Sequence, residues 1–433
     1  MSNADLHRAV EAVWKMEAAK VIAGLTRMVR DVDLAEDLAQ EALLIALEKW
    51  PVSGIPPNPG AWLTATAKNR AIDHFRATER SGRKHEEIGR SLLEVERTPP
   101  DFDTPLDDPF NDDVLRLIFV ACHPVLSTEA RAALTLRVVG GLTTDEIARA
   151  FLLPEPTIAQ RIVRAKKTLT QKRIPFQVPR GLDLAARLSS VLEVVYLIFN
   201  EGYAATSGAE LMRVSLCEEA LRLGRILAEL EPREPEVHGL VALMEMQASR
   251  LRARTNAAGE PILLLDQNRA QWDWLLIRRG LTALKRANEI AAARGPYLIQ
   301  AEIAACHACA VRVEDTDWRR IVSLYSELGQ VMPSPVIELN YAVAVSMADG
   351  PIAGLKLIDD LMEEPALKNY HLLPSVRGDL LARLGRHEEA RLEFERAAAM
   401  TRNAREKTLL AERARLSAEA VLQKSIETQV GQG

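Results

Sequence analysis

The side chains best suited to chemistry with an anion lie in one short cationic stretch. From Pro156 to Arg173 the chain contains no acidic residue. Its basic residues are Arg161, Arg164, Lys166, Lys167, Lys172 and Arg173. Ammonium and guanidinium groups pair with phosphates, and arginine can also donate two hydrogen bonds to a guanine edge. The stretch is therefore a candidate DNA-binding segment, with a solvated amphipathic helix as the alternative.

Hydrophobic periodicity indicates which of these side chains share a face. The apolar residues recur at helical spacing and predict an inward stripe of Ile158, Ile162, Ala165 and Leu169. The residues that then point outward together are Thr157, Gln160, Arg161 and Arg164. Polar and cationic side chains near a helix N-terminus are typical of a recognition helix that enters the major groove.

A second helix must precede this one to position it. Thr143 can cap the helix DEIARAF, and Glu146, three residues later, completes a capping box. The chain turns at residues 152–154, and Pro156 is tolerated in the first turn of the next helix. The sequence therefore predicts a helix-turn-helix.

Composition limits what the rest of the chain can be. A chain of 433 residues suggests two or three domains, and its net charge of -5 excludes a general nucleic-acid coat. Abundant Ala, Leu, Arg and Glu, with only 5% aromatic residues, favour helix over sheet. We find no apolar run long enough to span a membrane and no secretory signal, so we expect a cytoplasmic protein without membrane contact.

The sequence contains one possible metal-binding cluster and no recognisable catalytic motif. The cluster Cys306-His307-Ala308-Cys309 lacks a second ligand pair and lies in an Ala-rich helical run, so we expect packed helix residues and no metal. The chain has no Gly-rich phosphate loop and no HExxH. We therefore expect no cofactor and no enzymatic activity.

Proline-rich and acidic segments divide the chain. The loop from Pro51 to Gly60 is predicted to exclude a helix. Residues 81–111 are predicted to form an acidic linker, because DFDTPLDDPFNDD at residues 101–113 contains six aspartates and no base. A hinge is predicted at 175–182. The fold class expected is all-α, with domains at 1–80, 112–174 and 183–433.

The last of these domains contains a weak internal repeat. In its better copy, small and large residues fall where two helices of a helix-turn-helix repeat would touch: Gly378, Leu381, Gly385, Ala390, Phe394 and Ala397. A weaker copy upstream has Ala342, Val345, Gly354 and Ile358. The pattern is similar to tetratricopeptide repeats, and a generic helical bundle is the alternative.

Three segments in a fixed order resemble a known family. They are AEDLAQEA, AWLTATAKNRAIDHFR and LTLRVVGGLTTDEIARAFLLPEPTIAQRIVRAKKTL, which fall within about the first 175 residues. They resemble the bacterial RNA polymerase sigma factors of the extracytoplasmic-function group. The remainder, including YLIFNEGYAATSG, is similar to the sigma subgroup with a C-terminal tetratricopeptide-like extension.

The resemblance implies two domains with separate roles, region 2 at 1–80 and region 4 at 112–174. In region 2, an acidic helix would dock on the clamp of the largest polymerase subunit through Asp33, Glu36, Asp37, Gln40 and Glu41. The next helix would capture the minus-ten promoter element through Trp62, Lys68, Asn69, Arg70, Asp73 and Arg76. In region 4, the recognition helix would read the minus-thirty-five element through Thr157, Gln160, Arg161, Arg164, Lys166 and Lys167.

The function expected is that of a sigma factor, with RNA polymerase core and promoter DNA as partners and the C-terminal helical domain regulating activity in cis. Candidate residues for an intramolecular contact between tail and sigma domains are Asn200, Glu201, Gly202 and Tyr203. A helix C-cap with Gly202 in the left-handed conformation is the other interpretation of that string. The alternative function is a stand-alone helix-turn-helix regulator with a ligand- or peptide-sensing helical-repeat domain.

Overall fold

Helix-favouring composition produces a chain built from helices. The computed structural model describes residues 3–86, 110–151, 153–179, 182–204 and 211–430. Within these ranges the extended pairing is one isolated bridge between Thr255 and Pro261. The all-α fold class is therefore confirmed. None of the helices described is both long enough and apolar enough for a membrane span.

The chain forms two compact units, residues 1–197 and residues 198–433. Helices of the first unit are α1 (Asn3–Val29), α2 (Val32–Ser53), α3 (Pro59–Glu86), α4 (Phe110–Ala121), α5 (Thr128–Val138), α6 (Thr144–Phe151) and α7 (Glu155–Gln171). The boundary between the units falls inside the next helix, α8 (Leu182–Tyr203).

In the first unit, α1 lies against α2, α3, α4 and α5. Its inward face buries Trp14, Val21 and Ile22. Asp113 of α4 is buried as well, and its carboxylate pairs with Arg27 of α1 at 3.4 Å and with Arg116. A buried carboxylate needs such partners, because an unpaired charge is costly to remove from water.

The observed helix ends differ from the predicted ones in the proline-rich loop and in the acidic linker. α2 continues through Pro51 to Ser53, because a proline in the last turn removes only one helical hydrogen bond, and Gly54 closes the helix at φ +80°. The predicted linker is shorter at both ends, since α3 extends to Glu86 and α4 begins at Phe110. Residues 87–109 of that linker lie outside the described residues.

The second unit is a succession of helices with short connections. They are α9 (Val214–Leu230), α10 (Pro235–Ala248), α11 (Trp274–Ile290), α12 (Pro296–Cys309), α13 (Trp318–Val331), α14 (Pro335–Ala348), α15 (Pro351–Leu361), α16 (Leu372–Arg383), α17 (His387–Met400) and α18 (Ala404–Val430). Each of these helices packs against its neighbour in the chain. Two apolar clusters lie between them, one around Leu324 and one around Phe394.

Small residues let the predicted helix pairs approach closely. A Cβ on Gly378 of α16 would lie 2.9 Å from the ring of Phe394 on α17. A Cβ on Gly354 of α15 would lie 2.4 Å from the Cβ of Ser346 on α14. Both glycines therefore stand where the repeat pattern requires a small residue. The tetratricopeptide assignment itself stays a prediction.

Gly202 is helical, which excludes the alternative interpretation of this residue as a left-handed cap. α8 continues to Tyr203, and Gly202 is absent from the positions with positive φ. A Cβ there would lie 2.7 Å from the backbone nitrogen of Cys217 and 2.9 Å from the carbonyl oxygen of Arg213. Gly202 also accepts a hydrogen bond from the amide of Arg213 at 2.7 Å. The glycine is required for close backbone approach.

This close approach predicts that Gly202→Ala destabilises the protein by about 1–3 kcal/mol, because backbone atoms cannot move aside as a flexible side chain would. Gly329 of α13 has no atom within 4 Å of its Cβ position. Gly329→Ala is therefore the matched control and should stabilise by roughly 0.5–1 kcal/mol through helix propensity. Thermal unfolding measures both, and equal melting temperatures for the two variants would contradict the packing argument.

Candidate functional site

The first helix of the helix-turn-helix, α6, begins with the capping box that the sequence predicts. The amide of Glu146 donates to Thr143 Oγ1 at 3.1 Å, and the amide of Thr143 donates to Glu146 Oε2 at 2.8 Å. At the start of α7, the amide of Thr157 donates to the carbonyl of Pro154 at 2.9 Å. The predicted inward stripe of α7 is buried throughout, as Ile158, Ile162, Ala165 and Leu169 show.

Four of the predicted recognition residues line one open recess. They are Thr157, Gln160, Arg161 and Arg164, which face the start of α5 at Ser127 and Ala130 across a volume of about 370 Å³. In the described part of the chain, Arg161 and Arg164 make no salt bridge. The two guanidinium groups are therefore available to an anionic partner.

Lys166, also predicted to bind DNA, faces the other way. Its side chain is buried, with 7% of its surface exposed, and Nζ lies 3.0 Å from Glu36 Oε2 and also pairs with Asp33. The expectation that Lys166 lies on the DNA-reading face is wrong for this arrangement. Burial alone would lower the pKa of Lys166, but the carboxylates of Glu36 and Asp33 outweigh it and hold the pKa above its ordinary value.

Glu36 of α2 is the centre of this contact. It is 3% exposed and pairs with Arg137 of α5 as well as with Lys166 of α7. Beside it, Asp31 caps α2 through the amides of Asp33 and Leu34, and its other carboxylate oxygen lies 3.4 Å from the hydroxyl of Thr170. We call these residues of α2, α5 and α7 the Glu36 contact.

The Glu36 contact covers part of the acidic face that the sequence predicts to be exposed. Glu36 itself is enclosed, whereas Asp33, Asp37 and Glu41 are exposed and Gln40 is half-buried. Partial burial raises the pKa of Asp37, and Asp33, Glu36 and Glu41 add to the effect, while Lys166 opposes it. Sequence reasoning missed Arg137, which belongs to no cationic run, and Asp31, which lies two residues before the acidic segment that begins at Asp33.

The residues predicted to meet the minus-ten element lie on α3. Asn69, Arg70, Asp73 and Arg76 are exposed, while Lys68 is half-buried. Arg70 lies 3.7 Å from Glu41 of α2, and both side chains are about half exposed, so the pair contributes little stability. Trp62 is half-buried and packs edge-on against the buried Trp50, with ring centroids 5.3 Å apart.

Two other groups singled out in the sequence serve packing. The ring of His307 lies edge-on to Trp318 at 5.2 Å, beside a half-buried Cys306 and an exposed Cys309. Over the described ranges, no three His, Cys, Asp or Glu side chains lie close enough to hold a metal ion. Glu201 pairs with Arg213 and Tyr203 stacks on Phe199, so both are used inside the second unit, whereas Asn200 is exposed.

The helices that carry these surfaces lie within two regions that match known protein families. A model of sigma-70 region 2 matches residues 14–81, and a model of sigma-70 region 4 matches residues 116–169. Over 172 residues, 40% of its length, the chain is 27% identical to the probable ECF RNA polymerase sigma factor SigI of Mycobacterium tuberculosis, of which it covers 58%. The chain belongs to the extracytoplasmic-function group of sigma factors.

Further matches extend along this sigma factor. It is 27% identical over 158 residues, 36% of its length, to the ECF RNA polymerase sigma-E factor of Haemophilus influenzae and covers 82% of that protein. An uncharacterised protein of Rhizobium meliloti is 43% identical over 389 residues, which are 89% of this sigma factor and 90% of the relative. A family of unknown function matches residues 187–288, in the extension that follows the sigma regions.

Proposed function

We propose that this sigma factor directs RNA polymerase core to specific promoters, with α2 docking on the clamp of the largest subunit. In the proposal, α3 captures the minus-ten element and α7 reads the minus-thirty-five element. The open recess on α7, lined by unpaired Arg161 and Arg164, supports the assignment of the reading helix. The proposal places the chain in the cytoplasm and gives it no catalytic step.

The observation that carries the mechanism is the burial of Glu36. A docking face must be exposed to bind another protein, yet the carboxylate at its centre pairs with Arg137 and Lys166. We therefore propose that the Glu36 contact and core polymerase compete for α2. The Glu36 contact must separate before the first unit docks, and cations of the polymerase then replace those of α5 and α7.

Competition of this kind is energetically reasonable. Separating a buried ion pair leaves charges that need new partners or water, and removing one partner outright typically costs about 3–5 kcal/mol. Opening is therefore unfavourable alone and becomes favourable when another positively charged surface accepts Glu36. A ligand shifts such an equilibrium only by its differential affinity for the two forms.

We also propose that the C-terminal unit, a tetratricopeptide-like scaffold spanning 183–433, regulates the sigma regions in cis through α8. In the first unit, Arg187 donates to the carbonyl of Phe119 at 2.5 Å, and Ser190 donates to the carbonyl of Cys122 at 2.7 Å. Arg131 of α5 pairs with Ser190 and, at 3.1 Å, with Glu193. The last turn of α8 belongs to the second unit, so a shift in α8 would reach the helices that carry region 4.

The first test of the proposal concerns separation of the Glu36 contact. Lys166→Met removes one of the two cations that hold Glu36, so we expect roughly 5- to 150-fold tighter binding to core polymerase, equal to about 1–3 kcal/mol. Fluorescence anisotropy without DNA measures this affinity and avoids any effect of Lys166 on promoter binding.

Two further variants serve as controls in that assay, one with unchanged binding and one with weaker binding. Lys167→Met alters the neighbouring, exposed lysine and should leave core affinity unchanged. Asp37→Arg places a cation on the exposed part of the docking face and should weaken binding. Wild-type affinity in Lys166→Met, alongside weaker binding in Asp37→Arg, would show that the Glu36 contact does not compete with polymerase.

The second test concerns the reading helix. Arg164→Ala should weaken promoter binding by the holoenzyme by about 1–3 kcal/mol if the side chain reads a base edge. If it contacts phosphate instead, the salt dependence should fall by about one unit of slope. Lys172→Ala is the control, because Lys172 is exposed at the end of α7 and outside the recess. An Arg164 variant with unaltered affinity and slope would remove α7 from this role.

The third test concerns regulation in cis. A chain ending at Ala204 retains all of α8 and lacks the rest of the second unit. We expect its run-off transcription with purified core polymerase to differ from that of the full chain. A chain ending at Gly181 also loses Arg187 and Ser190. What remains of its first unit should therefore melt at a lower temperature than in the Ala204 truncation. Equal transcription by the Ala204 truncation and the full chain would exclude the cis mechanism.

A further inference from the structure

The second unit contains a cavity whose lining combines apolar and cationic groups. Its volume is about 310 Å³, at the lower end of the range for small-molecule sites. One wall is apolar and includes Leu211, Ile262 and Leu410. The guanidinium groups that line the cavity belong to Arg250, Arg254 and Arg413.

Among the residues that the structure describes, two of these arginines form no salt bridge, although Glu406 interacts electrostatically with Arg254. Arg413 pairs with Asp379, but Arg250 and Arg254 make no salt bridge within the described residues. Arg254 lies over the ring of Tyr203 at 3.7 Å and donates to the carbonyl of the same residue. Arg250 lies about 6 Å from two rings, and its Nε is buried without a hydrogen-bond partner. Two neighbouring, half-buried cations without a salt bridge favour a site for an anion.

A third polar group in the lining also lacks a partner. Gln267 is 7% exposed and donates through Nε2 to the carbonyl of Ile262 at 3.2 Å. Its Oε1 is buried and accepts no hydrogen bond within the described residues. A buried acceptor left unsatisfied is costly, so the occupant of the cavity should carry a donor.

Charge in the lining indicates how many negative charges the occupant has. Glu406 lines the same cavity, accepts a hydrogen bond from Thr401 at 2.8 Å and lies 3.2 Å from His371. One carboxylate against two unpaired guanidinium groups leaves one positive charge. A monoanion balances that charge, whereas a phosphate dianion would exceed it and approach Glu406.

We propose that this cavity, here named the Arg250 cavity, binds a small organic monocarboxylate with an apolar body and a hydrogen-bond donor. The carboxylate pairs with Arg250 and Arg254, the donor meets Gln267 Oε1, and the apolar body lies against Leu211, Ile262 and Leu410. This site is separate from the surfaces assigned to polymerase and promoter DNA. It does not depend on whether the second unit regulates transcription.

Calorimetric titration of the full-length protein with four carboxylates tests the proposal. Hexanoate, octanoate, decanoate and N-acetyl-leucine vary the body, and N-acetyl-leucine adds an amide donor. At least one should bind saturably with a dissociation constant below about 1 mM, and its neutral amide should bind about tenfold more weakly or worse. Acetate lacks the apolar body and should not bind measurably.

Variants locate the binding. Arg250→Gln should weaken binding of the carboxylate by about tenfold or more, whereas Arg252→Gln, an exposed arginine outside the lining, should not. Leu263→Asp is a second variant that should fold normally, because Leu263 is 42% exposed at the cavity. It should repel a carboxylate, whereas Leu265→Asp, outside the lining, is its control.

The outcomes decide the proposal in either direction. Saturable binding that Arg250→Gln or Leu263→Asp weakens, with both controls normal, supports it. The proposal is overturned if none of the four carboxylates binds. It is also overturned if the amide binds as tightly as the acid, or if a folded Leu263→Asp protein binds like wild type.

Discussion

A single buried carboxylate, that of Glu36, connects the three helices on which the sigma regions depend. Arg137 and Lys166 reach it from α5 and α7, although they lie 101 and 130 residues further along the chain. Because a carboxylate this enclosed must be paired, the position of α7 relative to α2 follows from it. Any form of the protein that exposes Glu36 has to supply other cations or water. In the proposed competition, the same residue stabilises the closed arrangement and makes the open one depend on polymerase.

This arrangement also explains how an acidic chain can carry α7, the helix proposed to read DNA. Lys166 is directed inward, so the outward face of α7 carries fewer cationic side chains than the sequence of the helix contains. Few phosphate contacts mean low affinity for DNA in isolation, because that affinity grows with the number of phosphates neutralised. A sigma factor needs little affinity of its own, since polymerase holds it near the promoter. The net charge of -5 is therefore compatible with promoter recognition.

Much of the fold could be predicted because it depends on residues that are close together in the sequence. Features that depend on contacts between distant residues could not be predicted. The capping box at Thr143 and the apolar stripe on α7 depend on residues a few positions apart, and both are confirmed. The direction of Lys166 depends on a carboxylate 130 residues away, which periodicity cannot reveal. Gly202 suggested a cap because glycine often ends helices, but the backbone atoms that crowd it belong to Arg213 and Cys217 at the start of α9. Four of the six predicted minus-thirty-five residues are exposed, namely Thr157, Gln160, Arg164 and Lys167.

Composition and contacts place the start of the C-terminal extension at different residues. Hydrogen bonds at the end of α4 explain the difference. The last carbonyls of a helix have no partner within it, and those of Phe119 and Cys122 accept from Arg187 and Ser190 of α8. Composition changes at residue 183, but a cut there would leave both carbonyls without these donors. The compact unit accordingly extends to residue 197, and the match to the family of unknown function begins at residue 187, within α8. The extension therefore begins in a helix on which the sigma regions rely, and removing that helix differs physically from removing the helices after it.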